Sequence, residues 1–168
     1  MIKIAPANAE DLIQVQQLAY QIWPITFRSI LSEEQMGYML EMMYSLTSLK
    51  DQVEIRGHKF LLAKEGLNYV GYASYQIHYK KPGTCKIHKL YILPTQQGKG
   101  TGKQLIEYIK ELSERQGCDT ITINVNRNNP AVRFYERMNF KIIREENIPI
   151  GNGYFMEDFV MEGNSAVD

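Results

Sequence analysis

Three glycines at alternate positions, Gly98, Gly100 and Gly102, separate an apolar run, Leu90-Tyr91-Ile92-Leu93, from a helical pattern that starts directly after them. A segment of this kind leaves a strand, turns sharply and enters a helix, because alternate glycines admit backbone conformations that other residues avoid. It therefore asks for an α/β arrangement of the surrounding chain. Glycine also lets backbone approach a ligand, and a helix start offers unpaired N–H groups and partial positive charge. The turn thus reads as a phosphate cradle. Two common phosphate motifs do not fit it. A Walker loop needs glycine where Gln97 stands and Ser or Thr where Gln104 stands. A dinucleotide fingerprint needs its third glycine at the position of Lys103.

The rest of the chain fits one domain, residues 1–161, with a frayed tail at 162–168. No repeat, low-complexity run or linker divides it. The 19 basic and 19 acidic residues balance, which argues against a dedicated nucleic-acid binder. Cys85 and Cys118 are too few for a disulfide scaffold and suit a reduced compartment. The first residues, MIKIAPANAEDL, lack the apolar run of an export signal, and no stretch approaches the ~20 apolar residues of a membrane span. A cytoplasmic protein with no membrane partner is expected.

Ile2-Lys3-Ile4 alternates and reads as a strand. Leu12, Val15, Ala19 and Ile22 follow at helical spacing behind a cap near Asn8, with Pro24 bounding that helix. Ser32-Glu33-Glu34-Gln35 resembles a capping box for a helix with Met36, Met39, Leu40 and Met43 on one face. Strands are expected over 58–64, 68–80 and 84–93, separated by Glu65-Gly66 and Lys81-Pro82-Gly83. A helix over about 100–116 precedes the strictly alternating strand 119–125. Pro130 suits the first turn of a helix carrying Ala131, Phe134 and Met138, and strands over 140–146 and 154–161 complete the chain. The order is β-αα-βββ-α-β-α-ββ, an α/β domain with a mixed, mostly antiparallel sheet flanked by helices.

The pattern Gln97-x-x-Gly100-x-Gly102 resembles the pyrophosphate-binding turn of the GCN5-related N-acetyltransferase (GNAT) family. Leu90-Tyr91-Ile92-Leu93-Pro94 looks like that family's fourth strand, and the element order is similar to its fold. The stretch from Asn126 to Phe140 is similar to a second family motif, with Asn139 in place of the usual glycine. Asn tolerates left-handed backbone, so the helix-ending turn survives the exchange.

The resemblance implies an enzyme using acetyl-CoA as co-substrate and no metal. By similarity the N–H groups of Gln97, Gly98, Lys99, Gly100, Thr101, Gly102 and Lys103 hold the coenzyme pyrophosphate. The edge of Leu90, Tyr91, Ile92 and Leu93 pairs with the pantetheine amides. Asn128 bonds the pantetheine arm, Arg133 meets phosphate, and Tyr135 stands near the thioester sulfur as general acid. Tyr135 lies about 100° around its helix from core-facing Phe134, so its hydroxyl can reach a boundary.

An alkylamine is also ~3.4 units from neutral at pH 7, a cost of roughly 4.6 kcal/mol, so a base or water relay is needed. The strand from Thr84 to Leu90 carries no carboxylate, where many relatives place a Glu. His88 is the side chain there that accepts protons near neutrality, and a water relay stays open beside it. His58, His78 and His88 have no ligand spacing, so no metal is expected. Trp23, Phe27 and Tyr75 are candidate walls for a small-molecule amine. A non-catalytic acyl-CoA sensor and a protein N-acetyltransferase are the other readings, and a homodimer is compatible with the sequence.

Overall fold

The computed structural model describes residues 1–166, which hold seven strands and five α-helices in a mixed α/β fold. In chain order these are β1 (Ile2–Pro6), α1 (Leu12–Thr26), α2 (Glu33–Tyr44), α3 (Leu46–Glu54), β2 (Lys59–Glu65), β3 (Asn68–Gln76), β4 (Thr84–Ile92), α4 (Thr101–Arg115), β5 (Thr120–Asn126), α5 (Ala131–Arg137), β6 (Lys141–Gly151) and β7 (Tyr154–Asn164). The chain packs as two compact units. One holds Met1–Gln76 with His88–Tyr108, the other Ile77–Ile87 with the described residues from Ile109 on. Among the described residues no helix is long and apolar enough to cross a membrane.

In the first unit, β1 and β3 flank β2 in antiparallel register, and β4 follows β3. Phe60, Leu61, Leu62 and Ala63 of β2 are all buried, as in a strand covered on both faces. The approach of β3 to β4 is close at Gly71. A Cβ there would stand 2.9 Å from Ile92 Cγ2 and 3.0 Å from the Tyr91 carbonyl, so only glycine fits. Just beyond, Leu93 N donates to the Val70 carbonyl at 2.9 Å.

The helices of this unit begin where short polar side chains satisfy orphan N–H groups. Asn8 and Asp11 form a reciprocal capping box on the 3₁₀ turn before α1, and Ser32 Oγ accepts from Gln35 N at 3.1 Å. Pro24 does not bound α1, which runs on to Thr26. The proline blocks only its own N–H and the carbonyl four residues back, and both Pro24 and Tyr20 are exposed, so water can take that carbonyl. Between β1 and β2 stand three helices, where two were expected. Ser45 ends α2 with ψ 148 and also caps α3, its Oγ accepting from Ser48 N at 3.1 Å.

In the second unit, β4 starts parallel to β5, from Thr84↔Thr120 to Ile87↔Ile123. β7 pairs antiparallel with both β5 and β6, leaving β6 at the edge. The register of β6 shifts twice, at Ile142/Arg144 and Pro149/Gly151, and Ile142 and Ile143 are exposed. The alternation of β5 holds, with Ile121, Ile123 and Val125 buried. Glu162, within the expected tail, pairs with Thr122, and β7 reaches Asn164. Residues 167–168 lie outside the described residues.

Helix α5 ends on Asn139 at φ +68, and Phe140 N donates to the Tyr135 carbonyl at 3.0 Å. This closure swings the Phe140 ring to 6.0 Å from Tyr135, above Gly163, where a Cβ would come within 3.2 Å of the ring. The face of α5 is thereby reversed from the expected one: Tyr135 is buried and Phe134 is only half-buried. Left-handed backbone costs a Cβ-bearing residue about 1–2 kcal/mol, less for Asn. Asn139→Ala is expected to lower the unfolding free energy by about 1 kcal/mol while Asn139→Gly matches or exceeds wild type, as measured by denaturant titration.

Candidate active site

The exit of β4 is built as an open cradle. Gly98 and Gly100 take φ +80 and +83, and no atom stands within 4 Å of where either Cβ would be. Within the turn, Gln97 N donates to the Pro94 carbonyl at 3.2 Å and Lys99 N to the Gln96 carbonyl at 3.3 Å. Those two N–H groups are engaged. The first-turn N–H groups of α4, on Thr101, Gly102 and Lys103, have no helical acceptor by the geometry of the α-helix. Buried Gln96 braces the loop, accepting from Thr101 Oγ1 at 3.2 Å and donating to Glu65 Oε1 at 3.3 Å. Lys99 and Lys103 are exposed.

Upstream on β4, Tyr91 joins an aromatic cluster. Its ring centroid lies 5.7 Å from Trp23, 6.2 Å from Phe27 and 5.7 Å from Tyr72. Trp23 also meets Phe27 at 4.6 Å and Tyr44 at 5.6 Å. Tyr72 donates its hydroxyl to that of Tyr44 at 2.7 Å. Burial, first of all, pushes both phenols well above 10. Of the expected wall residues, Trp23 and Phe27 are thus brought together. Tyr75 is buried further along β3, opposite Lys59.

Lys89 lies inside this unit. Its ammonium donates to Gln52 Oε1 at 2.6 Å and sits 5.7 Å and 5.6 Å from the Tyr44 and Phe60 ring centres. Gln52 is held in turn by the Met43 carbonyl, which accepts from Nε2 at 2.8 Å, and by Ser48 Oγ at 3.0 Å. Burial, aided by the Arg56 charge, pulls Lys89 from 10.5 down to about 7. His88, half-buried, stacks on His58 with ring centres 3.8 Å apart and planes 9° apart. Its Nε2 lies 3.1 Å from Gln76 Oε1. Burial, then Lys89 and Arg56, lower His58 to about 4.

In the second unit, Asn126 and Asn129 shape the loop before α5. Asn126 Oδ1 accepts from Asn128 N at 2.9 Å and Asn129 Oδ1 from Ala131 N at 2.9 Å, leaving the Asn128 side chain exposed, as is Arg133. Tyr135 is buried with Phe134 at 5.1 Å. No carboxylate belongs to β4, yet two face its Lys86, which donates to Asn124 Oδ1. Asn124 Nδ2 donates to Glu146 Oε2 at 3.1 Å and Asp158 Oδ2 at 3.3 Å. Burial raises Asp158, and the Asn124 hydrogen bond holds Glu146 low. Burial also lowers Lys86, against the pull of both acids. Among the described residues no group of three His, Cys, Asp or Glu is placed to hold a metal ion.

Sequence reasoning missed Gln52, Gln76, Gln96, Lys89 and Asp158. For Lys89 a signal existed: position 89 lies between apolar Ile87 and Tyr91 on one face of the strand.

A sequence model of the acetyltransferase (GNAT) family matches residues 18–140. The chain is 25% identical to the spermidine N(1)-acetyltransferase of Thermoplasma acidophilum, over 96% of both proteins. It is 23% identical to the uncharacterised N-acetyltransferase YuaI of Bacillus subtilis, over 89% of this chain and 86% of that protein. The PaiA N-acetyltransferase of Thermoplasma acidophilum, solved with coenzyme A, superposes with a TM-score of 0.78 at 24% identity, covering 98% of this chain and 99% of that one.

The lowered pKa of Lys89 makes stability depend on pH. From about pH 7 to 10.5 the unfolded lysine binds a proton that the folded one does not, so stability rises with pH across that window. The drop corresponds to roughly 4–5 kcal/mol in order of magnitude. The raised phenols act in the opposite sense, and only above ~10. Denaturant titrations between pH 7 and 9.5 are expected to show rising stability in wild type. Lys89→Met, of similar size and uncharged, should remove the larger part of that rise, with lowered Lys86 keeping the rest, and be the more stable protein at pH 7.

Proposed function

The chain belongs to the acetyltransferase (GNAT) family, and on that premise we propose that it transfers acetyl groups to the primary amine of a small molecule, by direct attack in a ternary complex. It is an acyl-CoA-dependent acetyltransferase. The observation that carries the cofactor assignment is the open turn, with Gly98 and Gly100 in left-handed backbone and nothing where their side chains would be. A phosphate needs that kind of surface: backbone N–H donors, no Cβ, and a helix start.

Acetyl-CoA, when bound, supplies an acyl group as a thioester. Gly98, Gly100, Thr101, Gly102 and Lys103 offer their N–H groups to its pyrophosphate, with Lys99, Lys103 and Arg133 as charge partners. Leu90, Tyr91 and Ile92 offer strand backbone to the pantetheine amides. Leu93 contributes its carbonyl, because its N–H already serves Val70. Asn128 bonds the same arm. His88 takes one proton from the acceptor ammonium and passes it to solvent. The amine nitrogen then bonds the acyl carbon as the carbon–sulfur bond breaks, and Tyr135 gives sulfur a proton. The second proton lost by the nitrogen restores Tyr135, so one proton is released per turnover.

Trp23 and Phe27 offer an apolar wall for the acceptor, with Tyr75 further along β3. A relative named for spermidine acetylation supports a small amine as the acceptor class.

Two measurements test this reading. Acetyl-CoA at about 100 times its Kd should stabilise the fold by roughly 2.7 kcal/mol, near 5–10 °C in Tm. Gly100→Val, which forces a β-branched residue into left-handed backbone and fills the cradle, should lose most of that shift. Absence of any shift in wild type with saturating acyl-CoA overturns the assignment. Tyr135→Phe should lower kcat by about 10²-fold, the low end for a general acid because a thiol needs less protonation than an alkoxide. Acetyl-CoA affinity should change little. Turnover equal to wild type, followed as free thiol on the best amine found, removes Tyr135 from the mechanism.

A further inference from the structure

His88 does not stand alone, and the groups around it determine which of its two nitrogens accepts a proton. We propose that Gln76 and His58 are positioning residues for His88. Gln76 holds the ring with its proton on Nε2, so that Nδ1 is the nitrogen that accepts the proton of the acceptor amine, and His58 fixes the plane of the ring. This rests on the reading of His88 as the base.

The geometry carries each part. Gln76 Oε1 lies 3.1 Å from His88 Nε2, and an amide oxygen only accepts, so Nε2 is the donor. The other end of the amide, Nε2 of Gln76, turns toward Gly57, where an added Cβ would lie 3.6 Å from it. With the proton on Nε2, the lone pair of a neutral ring is on Nδ1. Taking a proton there makes an imidazolium whose Nε2–H still donates to Gln76, so the bond is kept through the transfer and the ring does not have to reorient.

His58 is set from its backbone, its N–H donating to the Gln52 carbonyl at 2.8 Å. Its ring lies nearly parallel to His88 at 3.8 Å. Because His58 titrates only near 4, it presents a neutral plane at any pH where the amine reacts. The charged groups that bear on His58 are Lys89, from β4, and Arg56, from the segment before β2. Both are cations and oppose a charged His58. Gln76, from β3, is neutral. Replacing that neutral acceptor by a carboxylate is therefore the sharpest perturbation available.

The test has a readout independent of turnover. In protein labelled with ¹⁵N-histidine, His88 (assigned by its loss in His88→Ala) should show a protonated Nε2 and an unprotonated Nδ1 in the neutral state. Gln76→Glu keeps the acceptor and adds charge. It should move the NMR titration of His88 and the acid limb of kcat/KM upward together, by about 1–3 pH units, the usual effect of an adjacent opposite charge. His58→Phe keeps the stacked plane and should retain the wild-type limb, whereas His58→Ala should lower kcat with little change in KM for acetyl-CoA.

A proton found on Nδ1 overturns the role of Gln76, as does a titration unmoved in Gln76→Glu. Equal kcat in His58→Ala and wild type overturns that of His58. An acid limb that persists in His88→Ala overturns the base reading itself, and with it the proposal. Because the nitrogen shifts are read without substrate, the failure of the tautomer and the failure of the base are told apart.

Discussion

The close packing of β4 against Gly71 is the constraint on which the aromatic cluster and the glycine turn of the first unit depend. With the Tyr91 carbonyl 3.0 Å from where a Cβ would be, no other residue at position 71 leaves the two strands in place. That contact sets Tyr91, whose ring joins Trp23, Phe27 and Tyr72. Two residues on, Leu93 N–H bonds the Val70 carbonyl shortly before the chain turns into the glycines. The position of the glycine turn is thus decided in the sheet, by a residue well upstream of it. Gln96 carries the same logic one step further, tying the turn back to Glu65 at the end of β2.

Lys89 raises a different question of balance. A buried ammonium is costly unless its donors and its charge are answered, and here the answer is an amide oxygen and two aromatic faces rather than a carboxylate. This leaves the group poised between charged and neutral near pH 7. The Lys86 site uses the opposite solution, in which two carboxylates and Asn124 surround the ammonium. Two lysines three residues apart on one strand are therefore stabilised by different physics, one by aromatic packing and one by compensating charge.

How much of this was legible in the sequence follows from how local each interaction is. The glycine turn, the Ser32 cap and the left-handed Asn139 were readable because they depend on backbone preferences of one or two residues. Helix α3 was missed because its start, Ser45, also ends α2, so no Gly or Pro marks the break. The face of α5 was misread because apolar spacing does not reveal that the Asn139 turn brings Phe140 back over Tyr135. The partners of His88 and Lys89 lie 12 and 37 positions away in the chain, and pattern reading has no reach over that range. The family motifs were visible in the sequence, whereas these long-range side-chain partners were not.

The edge strand β6 brings a hazard of a different kind. Eleven residues long and bonded on one side to β7, it resembles a template onto which a foreign strand could add, and Ile142 and Ile143 would make such growth adhesive. Its two register shifts interrupt the regular row of donors and acceptors, and Pro149 deletes a donor outright. A newcomer would find no long run to copy. The irregularities that look like imperfections in the ladder are of the kind that oppose strand-by-strand growth along such a rim.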